Sequence, residues 1–331
     1  MRLINKITES EKLTIGCLLV FSFLLLLIGP VFFADYDIPD VKHYVALVDF
    51  FRAQGSFLDA GTAWRGRVIV PLLAAIIPVE ASLSLRIVNI IFTLMCMIIF
   101  YKILSEFKFG KKQQILGTLL FIISVPTITI GSAPLTDSAG IFFIILPIYL
   151  YQILEDDYKK WLIISIVIGI GVFVRETGLF VIPVLIIWEI IKVGFNWKKI
   201  ILSALFLGIT PLITFIILRI LVPRDLLSRN LDLSRLLENL TTETFEATTL
   251  ATIGQLSIII LIGLVGNFSE IFNKSKFLWK LIFAAIVFFM QLAYAYLFES
   301  IGNRFFWIFF IFAIPFLLES FKHFTQDIEK S

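Results

Sequence analysis

WLIISIVIGIGVFVRETGLFVIPVLIIWEII, residues 161–191, is the stretch whose reading decides the fold. As one helix it would rise about 46 Å, against a hydrocarbon core of roughly 30 Å. A charged pair, Arg175-Glu176, stands near its middle. The stretch therefore reads as two short apolar helices with the pair at the turn between them. A leg of about fourteen residues rises only roughly 21 Å, which sets the turn below the membrane surface, in a cavity. The pair reads either as a self-satisfied contact or as a clamp for a phosphate, with Glu176 orienting Arg175.

The rest of the chain supports a membrane setting. Of its 331 residues 59% are hydrophobic and 16% charged, with mean hydropathy +0.97. A water-soluble protein of this size could not hide so much apolar surface, so the fold class is an all-α polytopic membrane protein. A net charge of +3 calls for no nucleic-acid partner. Cys17 and Cys96 both lie in apolar runs and read as packing residues. His43 and His323 are the only histidines, which excludes a histidine-built metal site. A polar start, MRLINKITESEKLT, leads into an apolar run with no small-residue cleavage pattern, so that run reads as a retained first span.

Runs at 13–33, 83–104, 113–130, 138–154, 161–174, 178–191, 200–221, 253–272, 277–298 and 305–321 give about ten transmembrane helices. Residues 1–331 then form one transmembrane domain, with outer loops at 34–82 and 222–252. Threaded from a cytoplasmic N-terminus, the chain puts every lysine except Lys42 on the cytoplasmic side, turn after turn. Both termini fall on that side, in a plasma or inner membrane. Arginine does the reverse. Arg52, Arg65, Arg67, Arg86, Arg175, Arg219, Arg224, Arg229, Arg235 and Arg304 all fall on or near the outer side. Arg86 and Arg219 fit helix ends that snorkel. The others line an outer cleft. Arginine grips phosphate with a planar fork and keeps its charge, so the cleft calls for an anionic ligand, with lipid phosphate nearest to hand.

The first outer loop has internal structure. In residues 40–53, Val41, Tyr44, Val45, Val48 and Phe51 share one helical face and Lys42, Asp49 and Arg52 lie off it, the pattern of a helix lying in the interface. Residues 68–77, between Arg65/Arg67 and Glu80, are apolar but too short to cross and read as a second interfacial helix. In the second loop, Leu226, Leu233, Leu237 and Leu240 mark another amphipathic helix. Gly169 and Gly171 mark close helix packing.

The carboxylates Asp35, Asp37 and Asp40 follow the first span directly. Like charges so close repel unless a proton or cation lies among them. Asp40-x-x-x-Tyr44, followed by Gly55 and the aromatic Phe57, resembles the first outer loop of lipid-dependent GT-C glycosyltransferases, such as protein O-mannosyltransferases and the aminoarabinose transferases of lipid A. Asp35-Tyr36-Asp37 is similar to the modified DxD of related GT-C mannosyltransferases. Val41 departs from the pattern, since those enzymes usually carry a second acidic residue there. The resemblance covers the loop closely and the remainder as architecture.

The resemblance implies an inverting glycosyltransferase that takes a sugar from a polyprenyl-phosphate-linked donor at the outer face and passes it to a glycan, lipid or protein acceptor, among membrane lipids. Asp40 or Asp37 would be the general base, with Asp35 beside them. Tyr44, Arg65, Arg67, Asp137, Arg175, Glu176 and Arg304 would bind substrate. Asp35, Asp37 and Asp40 are also the oxygen donors that a Mg2+ or Mn2+ ion would take. Asp137 with Thr136 reads equally as a helix N-cap, and Arg304 equally as an anchor for the last span. Two other classes fit the outer arginines: a flippase or transporter of lipid-linked sugars, and a non-catalytic subunit of an envelope-polysaccharide assembly complex.

Overall fold

Within lipid, backbone N–H and C=O groups must pair among themselves, and only helices and closed barrels achieve this. The computed structural model takes the helical course. It describes residues 9–32, 39–222, 247–273, 275–296 and 303–330, and among them there is no β-strand. In chain order the helices are α1 (Glu9–Phe32), α2 (Val41–Phe51), α3 (Ile69–Ala75), α4 (Ala81–Glu106), α5 (Lys111–Ile122), α6 (Val125–Ile130) and α7 (Asp137–Ile153). They continue with α8 (Tyr158–Val172), α9 (Val181–Val193), α10 (Trp197–Leu221), α11 (Ala247–Phe272), α12 (Lys276–Tyr296) and α13 (Trp307–Lys330). Among the described residues 3₁₀ turns at Phe57–Asp59, Glu176–Phe180 and Asn303–Phe306 interrupt the series.

Among the described residues six segments are long and apolar enough to cross a bilayer: Ser10–Gly29, Ala81–Glu106, Trp197–Leu221, Ala247–Ile271, Lys276–Ala293 and Asn303–Lys322. The count of about ten expected from apolar runs is not confirmed, and the reason is local. The run at 113–130 is cut into α5 and α6 at Ser124, where Pro126 opens the new helix. Helices α7, α8 and α9 have 17, 15 and 13 residues. At 1.5 Å per residue they reach only about 20–26 Å.

Helix α7 packs on α4 and α8, α8 on α10, α9 on α12, and α13 on both α11 and α12. Helix α1 lies against α4 and α6. The Gly169/Gly171 pair does mark close approach. A Cβ at Gly169 would meet Thr210 of α10 at 2.8 Å, and one at Gly171 would meet Phe143 of α7 at 2.9 Å. The outside of the bundle is apolar: on α10 alone Leu205, Ile209, Leu212 and Ile220 are exposed. That is the surface of a chain whose solvent is hydrocarbon.

Both helices expected in the first loop form. Helix α2 buries Tyr44, Leu47 and Val48 against α3 and α4, and α3 is a single short segment of 7 residues. The leucine-rich stretch of the second loop lies in 223–246, outside the described residues.

The long helices keep the two kinds of cation apart. Arg52 reaches Ser84 at the start of α4, while Lys102 pairs with Glu11 near its end, at 2.6 Å. Asp137 opens α7 on the arginine side. At its other end Tyr151 donates to Glu189 at 2.9 Å, beside Lys160. In that lysine-side cluster Asp156 takes both Lys160 and Lys192. Burial disfavours the Asp156 carboxylate, but the two ammonium groups outweigh it and bring its pKa down to about 2. Arg304 precedes α13, and Lys322 near its end lies over the Phe109 ring at 4.3 Å.

Candidate active site at the arginine end of the bundle

Asp40 immediately precedes α2, yet its side chain does not cap that helix. Its Oδ2 instead accepts a hydrogen bond from Arg304 Nη1 at 2.7 Å. The contact joins the first loop to the turn before α13. Arg304 also lies over the Phe305 ring, at 5.1 Å. From another direction Arg175 approaches the same ring, at 5.3 Å. Phe305 is thus a shared aromatic floor for two guanidinium groups, each attracted by its π face.

Arg175 occupies the turn that the sequence required between α8 and α9. Its guanidinium pairs with Asp137, and both side chains are buried, 9% and 4% exposed. Gly140, one turn along α7, makes this reach possible: a Cβ there would sit 3.3 Å from Arg175 Cδ. Asp137 forms no cap, and Thr136 Oγ1 donates to the Tyr44 hydroxyl at 3.1 Å rather than to the helix. The N-cap reading of this dipeptide is therefore not what the side chains do.

Tyr44 also accepts from Arg67 Nη1 at 2.8 Å, and Arg67 Nε lies 3.5 Å from Glu176 Oε2. Glu176 thus faces Arg67, whereas Arg175 takes Asp137. Burial works against the Arg67 charge, but Tyr44 and Glu176 more than offset it and hold its pKa above the usual arginine value. The structure so brings together Asp40, Tyr44, Arg67, Asp137, Arg175, Glu176 and Arg304. The cluster balances three arginines with three carboxylates in a low-dielectric setting, where charges are stable only when paired.

Arg65 stands apart. It donates to the carbonyls of Ala60 and Leu58 at 2.8 and 2.9 Å and lies over Phe57 at 5.8 Å, organising its own loop. Arg52 likewise holds α3, through the carbonyls of Ala74 and Ile77. Arg219 rests on Phe215 at 4.7 Å, with Nε and Nη1 buried and no acceptor among the described residues. Asp35 and Asp37 lie outside the described residues. Among the described residues no three of His, Cys, Asp and Glu converge as metal ligands, and Asp40 already has an arginine as its counter-cation. His43 accepts from the Gly61 backbone N–H through Nδ1 at 3.1 Å and stacks on Trp64 at 4.0 Å. Burial, reinforced by Lys42, pushes its pKa below the ordinary value, with Asp40 acting the other way.

Sequence reasoning missed three members of the site. Thr177, Gln291 and Phe305 line a cavity of about 30 Å³ together with Asp137, Arg175 and Arg304. A lone glutamine in the apolar run of α12 was the available signal. A second cavity, apolar and about 330 Å³, lies between α11, α12 and α13. Phe309, Phe312 and Phe316 line it, on the helix that Phe305 introduces.

Fold and site together define a multi-pass membrane protein with a buried, charge-balanced cluster under a helical loop. Residues 66–222 match the model of the family described as dolichyl-phosphate-mannose-protein mannosyltransferase, within the GT-C superfamily. The resemblance read from Asp40, Tyr44, Gly55 and Phe57 is thereby borne out by a part of the chain beyond those residues. The match supports a glycosyltransferase of GT-C type, similar to the mannosyltransferases. It includes Arg67, Asp137, Arg175 and Glu176. No curated protein matches the chain.

Proposed function

We propose that the protein transfers a sugar from a polyprenyl-phosphate-linked donor to an acceptor hydroxyl at the outer face of the membrane, with inversion. The observation that carries this reading is the buried cluster of Asp40, Asp137 and Glu176 against Arg67, Arg175 and Arg304, with an apolar groove further along the helices α12 and α13. A lipid-linked sugar phosphate has both parts: an anion that suits arginine forks and a hydrocarbon tail that suits the groove. The family match, to dolichyl-phosphate-mannose-protein mannosyltransferases, supports the same donor class. The positive-inside rule supports assigning the arginine end to the outer face.

In this mechanism the acceptor oxygen forms a bond to the anomeric carbon as the bond from that carbon to the phosphate oxygen breaks. The acceptor proton goes to Asp40, and the electron pair leaves with the phosphate. Arg304 takes Asp40 Oδ2 and leaves Oδ1 to receive the proton. A positioned base of this kind contributes about 10²–10⁴-fold. Arg175 and Arg304, fixed over Phe305, stabilise the charge that grows on the leaving phosphate, as preorganised donors do. With Oδ2 on Arg304 and Oδ1 receiving the proton, Asp40 has no oxygen left for a divalent cation, and no step is routed through one.

The test is ligand-dependent stability in detergent. Undecaprenyl phosphate at a hundred times its dissociation constant adds about 2.7 kcal/mol to the folded state. We expect that gain in the wild type and its loss in Arg175→Ala. No gain in the wild type would refute the lipid-phosphate site.

A further inference from the structure

We propose that Gln291 recognises a hydroxyl group of the transferred sugar. The inference rests on the reading of the cluster as a sugar-phosphate site. Gln291 belongs to the buried face of α12, one turn beyond Phe288, which stacks on Phe312 of α13 at 5.6 Å. Its side chain lines the same small cavity as Asp137, Arg175, Thr177, Arg304 and Phe305. Gln291 Oε1 is buried and has no hydrogen-bond partner among the described residues.

An amide oxygen buried without a donor is unfavourable, and the rest of α12 shows that the helix has no need of one: its neighbours are Phe288, Phe289, Met290, Leu292 and Ala293. An apolar residue would serve packing better. The oxygen is therefore explained by what enters the cavity.

Chemistry narrows the visitor. The free atom is an acceptor, so the ligand must bring a donor. A phosphodiester has only acceptor oxygens and would be repelled there, while Arg175 and Arg304 are suited to receive it. A sugar hydroxyl donates one proton and can accept from Thr177. About 30 Å³ holds one or two water-sized groups, which matches a single hydroxyl and not a whole ring. The site thus divides its work. The arginines read the phosphate, and Gln291 reads a hydroxyl on the group the phosphate carries.

Gln291→Met keeps length and volume and removes the acceptor. Wild type and variant would be compared, by thermal shift titration in nanodiscs, for affinity toward undecaprenyl phosphate and undecaprenyl-phosphate-mannose. We expect wild type to prefer the sugar-bearing lipid, and Gln291→Met to lose about tenfold of that affinity with undecaprenyl phosphate binding unchanged. If Gln291→Met does not yield folded protein, Gln291→Asn, which withdraws the amide by one methylene, should show the same selective loss in smaller degree. A variant that weakens both lipids alike, or neither, overturns the assignment to Gln291 while leaving the phosphate site intact. Equal affinity of the wild type for the two lipids also overturns it. A wild type that binds neither lipid overturns the sugar-phosphate reading and this inference with it.

Discussion

Replacing Asp137 by leucine would test how the cluster is held together. The carboxylate is 4% exposed and its partner Arg175 9%. Asp137→Leu strands the guanidinium in a site of low dielectric, and one-sided removal from a buried pair costs about 3–5 kcal/mol. Phe305 still lies under Arg175, at 5.3 Å, and a desolvated cation–π contact is worth up to about 2 kcal/mol, so the lower end of that range is expected. Arg175→Met leaves the carboxylate unpaired, though with the Arg304 and Arg67 charges still acting on it. Its loss should be smaller, about 2 kcal/mol, below the usual range for a broken buried pair. The double variant replaces both charges with apolar groups of similar size, a change that is often neutral. Unfolding titrations in mixed SDS micelles, followed by far-UV circular dichroism, would give all three values. The two single losses should therefore exceed the double loss by at least about 2 kcal/mol. A double loss equal to the sum of the singles, within about 0.5 kcal/mol, would show that the two residues do not act as a pair and would refute the reasoning.

Three further outcomes follow from particular contacts. Burial holds the His43 pKa below the ordinary histidine value, so the folded loop binds fewer protons than the unfolded chain; stability is complete above about pH 6.5 and falls as pH drops toward the folded pKa. Thermal melts across that window should show the fall in wild type and not in His43→Gln, and identical profiles would remove the link to the Gly61 hydrogen bond. Gly171→Val drives a side chain into Phe143, 2.9 Å from the glycine's would-be Cβ, and should lower stability by about 1–3 kcal/mol in the same SDS titration; a neutral result would mean that α7 and α8 can separate freely. In a background with Cys17 and Cys96 replaced by alanine, single cysteines at Ser56 and Glu155 should react with a membrane-impermeant thiol reagent from opposite sides of the membrane, and labelling from the same side would contradict the proposed topology.

Much of the fold was legible because it follows from length and charge. Arg175-Glu176 in an apolar run too long for one span forced a turn, and the turn is there. The two helices of the first loop were written in the face of Tyr44 and Val48 and in the shortness of the run after Arg67. The span count was less legible, since hydropathy does not register that a new helix begins at Val125 after Ser124, and it counts the runs of α7, α8 and α9 as spans although they fall short of the full hydrocarbon thickness. The site was half legible. Chemistry-bearing residues stood out by type, but their pairing did not. Asp40 and Arg304 lie 264 positions apart, and nothing local to either predicts the other. The expected Arg175–Glu176 partnership gave way to two crossed pairs, Arg175 with Asp137 and Arg67 with Glu176. That exchange depends on how α3, α7 and the turn after α8 pack, which a sequence pattern does not encode. Gln291 stood out by type but not by role, for a related reason: a polar residue in a span is informative only once its neighbours across the bundle are known.

Turnover is the most direct test of the transferase. Purified protein in nanodiscs would be given polyprenyl-phosphate-mannose, and the release of free polyprenyl phosphate followed for wild type and Asp40→Asn, with lipid binding measured in parallel. The wild type should release it, and Asp40→Asn should do so at a rate lower by about 10²–10⁴-fold, at similar lipid affinity. Release at the wild-type rate by Asp40→Asn would contradict the assignment of the base, and no release by a wild type that binds the lipid would contradict the transferase itself.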